Sequence, residues 1–387
     1  MIRHFASTVR QAGLSLIEMM VGLAIGLFLT VGLFTLISNT SSSFKVQDDF
    51  ARMQDNAATA FRYLGASLRQ AGFLGYLQDL TQVVPAYGGL TVGNDCGSAT
   101  NLPATNWSLD TTFPIFGFTG LTQIDVNTVL PCITATNFLD IPAPNQQQIL
   151  VTRGANGFRI PDPNNDGNLS DGIAQQRNNG ANTLYIQADP AQGVFFLGGA
   201  YAAMRGAGAN RTMTTPAIRD ADIFEYSAHV YYIRPCSRFG SGTSCKPVGA
   251  LVVDDDDGRP IPTLVRQEFS EGGMVEVGLA EGIERMMIMY GIDNNTDGVV
   301  DAYTKTPAAG DWKNIVAVRV ALLVRSATIT PQYDDGAKKY DLDGDNVADF
   351  WCTQVVATQT NPAPCNYKRK VFTQLFQLRN VAQRRGL

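Results

Sequence analysis

The sequence predicts an α+β protein: a long N-terminal helix, transmembrane and then amphipathic, is the spine of an antiparallel β-sheet head with large loop insertions. Three observations lead there. Residues 14–37 form an unbroken apolar run in which Glu18 is the only ionisable group. Residues 44–68 then place Phe44, Phe50, Met53, Ala57, Phe61, Leu64 and Leu68 mostly three and four apart, the period of one helix face. Beyond residue 75 the chain changes to short apolar or alternating segments separated by Gly, Pro, Asn and Asp, the pattern of strands and turns.

The start of the chain sets its organisation. A short leader, residues 1–13, carries Arg3 and Arg10 and ends at Gly13. The apolar run after it is long enough for a hydrocarbon layer of about 30 Å, which takes about 20 residues. It is too long for a secretory h-region, and no A-x-A-like cleavage site follows it. Positive residues before the span keep the leader on the cytoplasmic side and send the rest across. In lipid the backbone satisfies its own hydrogen bonds, so residues 14–37 are expected to be helical. A carboxylate in such a run is costly and is expected to have a partner.

Residues 38–43 are polar, and residues 38–72 are read as the amphipathic half of the same helix, ended by Gly72 and Gly75. A helix over residues 14–71 is roughly 85 Å long. The basic leader, Gly13, Glu18 and the apolar run together resemble the class III signal of type IV pilins and pseudopilins. The resemblance implies cleavage after Gly13 by a prepilin peptidase, N-methylation of Leu14 as the new terminus, and an assembly role for Glu18. The family usually begins its mature chain with phenylalanine, and Leu14 departs from that while remaining apolar. A new α-amino group at Leu14 lies one turn from Glu18, and a charge pair there offsets the desolvation of the carboxylate.

Composition narrows the class further. The 387 residues carry a net charge of −5, only 17% of them are charged, and 37 are glycine. No extended basic patch suggests nucleic-acid binding. The balance suits an exported, loop-rich β protein. Six cysteines in a chain that crosses a membrane suggest disulfides. Short loops favour Cys236–Cys245 and Cys352–Cys365, which leaves Cys96–Cys132, and no spacing is that of a C-x-x-C zinc or redox site.

Residues 76–220 read as a loop-rich insertion or subdomain, with a short apolar piece at 113–118 and strands at 149–153 and 183–187. Residues 194–208 are apolar but glycine-broken and receive no assignment. Residues 221–387 read as a β-rich region with strands at 229–234, 250–253, 264–269, 274–277 and 282–290. Residues 315–325 are the strongest buried strand, and residues 370–379, which alternate well, are its expected neighbour.

Three segments alternate oxygen-bearing residues: Asp162, Asn164, Asp166 and Asp171; Asp293, Asn295, Asp297 and Asp301; and Asp341, Asp343, Asp345 and Asp349. Ligands at positions 1, 3 and 5, with a turn glycine at position 6 in the first two, resemble the opening of a calcium loop. None has the acidic twelfth residue of an EF-hand, so ligation would close at position 9 or 10. The competing reading is a surface turn, which Asp, Asn and Gly make readily. The run Asp254–Asp257 is contiguous and reads as an acidic turn.

Residues 275–303 combine a strand, the segment from Glu284 to Asp293, an Asp-Gly loop and Asp301-Ala-Tyr303, and they resemble the C-terminal half of PilW-type minor pilins. The strand at 372–380 resembles the same family's ending. The resemblance implies a pilin-like fold and a minor pilin that primes pilus assembly with other minor pilins and the major pilin. It also implies association with a large tip adhesin, and support of adhesion and twitching motility. The expected location is the inner membrane, single pass with a periplasmic head, and then the pilus tip.

The alternatives are a minor pseudopilin of a type II secretion system and, in another class, a membrane-anchored carbohydrate-binding or hydrolytic module. Enzymatic chemistry finds little support. There are two histidines, His4 in the leader and His229 in a strand pattern, and no nucleophile elbow, zinc-protease or phosphate-loop motif. Calcium is the only cofactor the sequence suggests.

Overall fold

A computed structural model of the chain describes residues 15–84, 87–100, 103, 105–139, 147–164, 169–176, 180–206, 221–246, 254–330, 333–352 and 365–385. Helix α1, Leu16–Gln70, is continuous through the polar stretch at 38–43. The chain divides into two compact units at Arg52/Met53.

In the first unit, Leu16–Ile37 has a mean hydropathy of 2.4 and none of it is buried. The hydroxyls of Thr30 and Thr35 donate back to the carbonyls of Gly26 and Gly32 at 3.0 and 2.8 Å, so the apolar run keeps its few polar side chains satisfied internally. Further along, Arg52 and Asp48 form an exposed i,i+4 ion pair.

In the second unit, Met53, Ala57, Leu64 and Leu68 of the predicted stripe are buried, with Ala60 beside them and Phe61 partly buried; Phe44 and Phe50, earlier in α1, are exposed. The strands are β1 (Val83–Val84), β2 (Ile115–Phe118), β3 (Ile149–Arg159), β4 (Leu184–Ala188), β5 (Gly193–Leu197) and β6 (Ile223–Arg234). They continue with β7 (Thr263–Ser270), β8 (Gly273–Glu281), β9 (Ile283–Ile292), β10 (Ala302–Thr304), β11 (Ile315–Arg325) and β12 (Arg369–Gln377). Short helices are α2 (Gln123–Val129), α3 (Ser170–Ala174), α4 (Tyr201–Gly206) and α5 (Arg379–Arg385).

An eight-stranded sheet has the order β1-β5-β4-β6-β3-β2, with β7 added to β6 and β8 to β7; a four-stranded sheet has the order β10-β9-β11-β12. All pairings are antiparallel except β1 with β5. Strand β11 lies between β9 and β12, with Ala317 opposite Gln377 and Arg325 opposite Arg369. Residues 76–220 contribute five strands to the larger sheet, which β6, β7 and β8 complete. The unassigned stretch at 194–208 supplies β5 and α4, and the strand expected at 250–253 lies outside the described residues.

The largest core cluster joins the buried stripe of α1 to both sheets. It includes Tyr231, Ile233 and Leu264 from the first, and Ile288, Val320, Leu322 and Phe376 from the second. Gly72, with φ +77°, ends α1 and donates its N–H to the Arg153 carbonyl at 2.9 Å. Three disulfides, Cys96–Cys132, Cys236–Cys245 and Cys352–Cys365, staple the loops.

One buried ionic network fixes the base of the second sheet. Glu284 receives the Arg369 guanidinium at 2.6 and 3.1 Å, and Arg369 reaches Asp335 at 3.2 Å. Burial pushes the Glu284 carboxyl up, but Arg369, Arg325 and Arg285 outweigh it and hold it below its ordinary value.

Candidate functional site

The anchor begins with a local device. The Ser15 N–H donates to Glu18 Oε2 at 3.1 Å, and Ser15 Oγ accepts from the Ile17 N–H at 3.3 Å. Both satisfy donors that a helix start leaves open. Glu18 lies in the first turn of α1, where an anionic side chain also complements the helix dipole. Gly13 and Leu14, the expected processing residues, lie outside the described residues.

The second sheet carries two of the three acidic loops. The loop with Asp293 and Asp301 joins β9 to β10, and the loop with Asp341 and Asp349 lies between β11 and β12. Their internal hydrogen bonds correspond position by position. Asp293 accepts the N–H groups of Thr296 and Gly298 at 2.7 and 3.0 Å, and Asp341 those of Gly344 and Asn346 at 2.6 and 2.8 Å. Asn295 Oδ1 accepts from Asp297 N–H and Asp343 Oδ1 from Asp345 N–H, both at 3.1 Å. The carboxylates of Asp297 and Asp345 accept from Val299 and Val347 at 2.8 and 2.7 Å. Asp301 and Asp349 each close the loop on the residue after its first aspartate, Asn294 and Leu342, at 2.7 Å. Two sequences that share aspartates at positions 1, 5 and 9 and a valine at position 7 therefore fold into the same turn. Positive φ angles at Thr296, Gly298, Gly344 and Asn346 complete the curl.

The third candidate segment is different. Asp162 and Asn164 follow β3 in the first sheet, Asp166 lies outside the described residues, and Asp171 sits in the first turn of α3. The Asn164 amide donates to the Asp171 carboxylate. This segment is not brought to the other two.

A lysine that no motif announces reaches into the second of these loops. Lys305 follows β10 and lays its ammonium against Asp343, 3.7 Å from Asp349 and 4.0 Å from Asp345. Burial lowers its pKa, but these carboxylates outweigh burial and raise it. Burial likewise pushes Asp343 up, yet Lys305 and the Asp345 N–H bring it below the ordinary carboxylate value. Asp349 stays above its ordinary value, through burial and then the neighbouring Asp343 charge. Arg319 of β11 donates to the Asp343 carbonyl and lies 5.7 Å from the Tyr303 ring, tying the second loop and β10 to one strand.

Carboxylate oxygens of Asp341, Asp343 and Asp345 lie within 4.8 Å of one another. An all-oxygen set of this kind suits a hard cation such as calcium, and Lys305 already places a positive charge among these groups.

The run Asp254–Asp257 serves its own chain. Asp256 accepts the N–H groups of Ser237, Arg238 and Ile261 at 2.9, 2.8 and 2.9 Å; Asp255 accepts those of Gly240 and Lys246. The acidic turn thus grips the loop closed by Cys236–Cys245. Asp255 also approaches those two sulfurs, but they are bonded to each other and offer no thiolate.

His229 is structural in the same sense. It is largely but not wholly buried, with Nδ1 2.8 Å from Ser67 Oγ of α1, and burial followed by the charge of Arg266 lowers it to about 3.

Comparison with known proteins agrees with these elements. Residues 250–380 match the family described as type IV pilus-assembly protein W. Residues 9–34 match the prokaryotic N-terminal methylation motif. The chain is a type IV pilin of the PilW type. No curated protein and no solved structure matches it.

The PilW match takes in β7–β12, both paired acidic loops and Lys305, and leaves out the 162–171 segment. The methylation motif implies processing by a prepilin peptidase and assembly with other pilins. A prepilin motif on an apolar helix of this length makes the first half of α1 an inner-membrane anchor, with the head C-terminal to it. The family is one of structural proteins.

Sequence reasoning missed Lys305, and nothing around it in sequence would have drawn attention to it, because its partners lie some forty residues further along the chain. It also missed the Glu284–Arg369–Asp335 network, whose members are too far apart in sequence to form a motif.

Proposed function

We propose that this pilin is a rare subunit that helps initiate type IV pilus assembly, takes its place in the tip complex and supports adhesion and twitching motility. The observation that carries this reading is the size of the head mounted on a pilin anchor: residues 53–387 form one compact unit with two sheets and three disulfides. A shaft subunit repeats along the filament at a close spacing, and such bulk suits a position that occurs once. Its role is structural and non-catalytic, with other minor pilins, the major pilin and a large tip adhesin as partners.

Assembly in this reading turns on Glu18. The Ser15 N–H already lies 3.1 Å from its carboxylate. After cleavage at Gly13, the charged terminus of Leu14, from the same or a neighbouring subunit, becomes the natural counter-charge. The match over residues 250–380 favours a pilus over a secretion pseudopilus.

The paired loops at 293–301 and 341–349 are proposed as calcium sites that stiffen this end of the head. Their shared fold and the convergence of oxygens in the second loop support the proposal.

Intact mass of the membrane-extracted protein tests the central reading. With an active prepilin peptidase it should lose residues 1–13 and gain one methyl group; Glu18→Val should be processed yet fail to enter sheared pili. An unchanged N-terminus in the presence of the peptidase rejects the pilin reading.

A further inference from the structure

Strand β12 stands apart from the other sheet edges. Edge strands expose rows of unpaired N–H and C=O groups, and proteins blunt them by shortness, charge, proline or cover. Here β1 has two residues, β10 three and β2 four. Strand β8 is long but carries Glu276 and Glu281 and is bridged by Gly93.

Strand β12 has nine residues and pairs only with β11 among the described residues. After Lys370 it reads Val-Phe-Thr-Gln-Leu-Phe-Gln, with no charge, proline or glycine. Leu375 is 58% exposed, and Thr373, Gln374 and Gln377 are exposed beside it. Such a sequence on an open edge is an aggregation hazard unless another strand covers it.

The surroundings say what kind of strand fits. A groove runs along this edge, lined by Ala58, Phe61, Arg62 and Arg69 of α1 and by Phe372 and Gln374 of β12, and among the described residues no carboxylate lines it. Lys370 stands at one end of the strand and Arg379, at the start of α5, beyond the other. A second copy added antiparallel would bring these cationic ends together, which disfavours self-pairing. A partner packed against the exposed flank of α1 in the head meets β12 next.

We propose that β12 is the acceptor for a β-strand donated by the head of a different pilin subunit, an extended segment with alternating apolar residues and acidic flanks. Main-chain hydrogen bonds to the open edge supply the attachment, and Arg62, Arg69 and Lys370 supply the register. The inference rests on the pilin reading above and names a partner surface for it.

The test uses the full-length chain in piliated cells, with the photo-crosslinking residue p-benzoylphenylalanine at position 375. Irradiated, sheared pili should yield an adduct of this chain with another pilin, joined through a strand of that pilin's head. Lys370→Glu should reduce the adduct about tenfold, the effect of roughly 1.4 kcal/mol, while Lys370→Arg retains it and both variants keep the wild-type melting temperature. An adduct with a second copy of this chain overturns the proposal. So does the absence of any adduct in pili that contain the chain. Absence of the processed chain from the pili rejects the pilus reading itself, and the proposal with it.

Discussion

His229 shows how a single largely buried side chain makes stability depend on pH. Its folded-state pKa, lowered to about 3, lies below the ordinary 6.5 of the unfolded chain. The unfolded state therefore binds the proton first as pH falls. Its contribution is complete above pH 6.5 and is lost on the way down towards 3, at about 1.4 kcal/mol per pH unit. Glu284, held below its ordinary value, also loses its contribution on acidification, but only below about 4.5. The two windows separate. Urea unfolding at pH 7.5 and 5.5 should show a loss of about 1.4 kcal/mol. His229→Gln, which keeps a partner for Ser67, should remove most of that difference, and an unchanged pH slope in this variant would assign it elsewhere.

Close packing of elements makes further predictions. A Cβ added at Gly154 of β3 would run into the Gln70 carbonyl oxygen, where backbone has to move. At Gly65 of α1 the added atom meets the Phe376 ring edge at 2.6 Å, and a side chain can yield. Gly154→Ala should therefore cost more than Gly65→Ala, about 3 kcal/mol against about 1, with thermal melts giving the order.

The paired acidic loops invite a test at the same scale. Calcium added to chelator-treated protein should raise the melting temperature, and Lys305→Met should enlarge the rise by removing the competing ammonium. Asp341→Ala, which deletes an oxygen ligand and two N–H acceptors, should lower the starting melting temperature and leave only the calcium response of the 293–301 loop. A melting temperature indifferent to calcium in both the parent chain and Lys305→Met rejects the metal proposal.

For the whole molecule, the disulfides are the largest covalent constraint. Their chain separations are 36, 9 and 13 residues. Each should contribute about 2–4 kcal/mol, and the longest loop most, because closing it removes the most freedom from the unfolded chain. Replacing both cysteines of one pair by alanine should then lower the melting temperature most for Cys96–Cys132 and least for Cys236–Cys245. The constraint also explains how loop-rich stretches such as residues 87–139 stay attached to the first sheet: Cys96 and Cys132 lie in one buried cluster with Trp107, Phe138 and Tyr232.

Much of this molecule is legible in its sequence. The anchor reads directly, because an apolar run with a glycine and a glutamate at fixed offsets is a local pattern that lipid and a peptidase recognise locally. The stripe from Met53 to Leu68 and the strand at 315–325 read equally well, since period and β-branching are properties of neighbours in sequence. The alternation of residues 370–379 marks them as the neighbour of that strand, and they are. Aspartate spacing announces two curled loops, though it does not say that they fold alike.

Tertiary structure alone decided the rest. It placed Lys305 among the carboxylates of a loop far along the chain, gathered Glu284, Arg325, Asp335 and Arg369 into one buried network, and turned residues 76–220 into partners of β6 in a shared sheet. Among the described residues it also left β12 with β11 as its only partner strand, beside α1. Each of these depends on which distant segments meet, and burial, hydrogen bonding and charge pairing between such segments leave no periodic trace in the sequence.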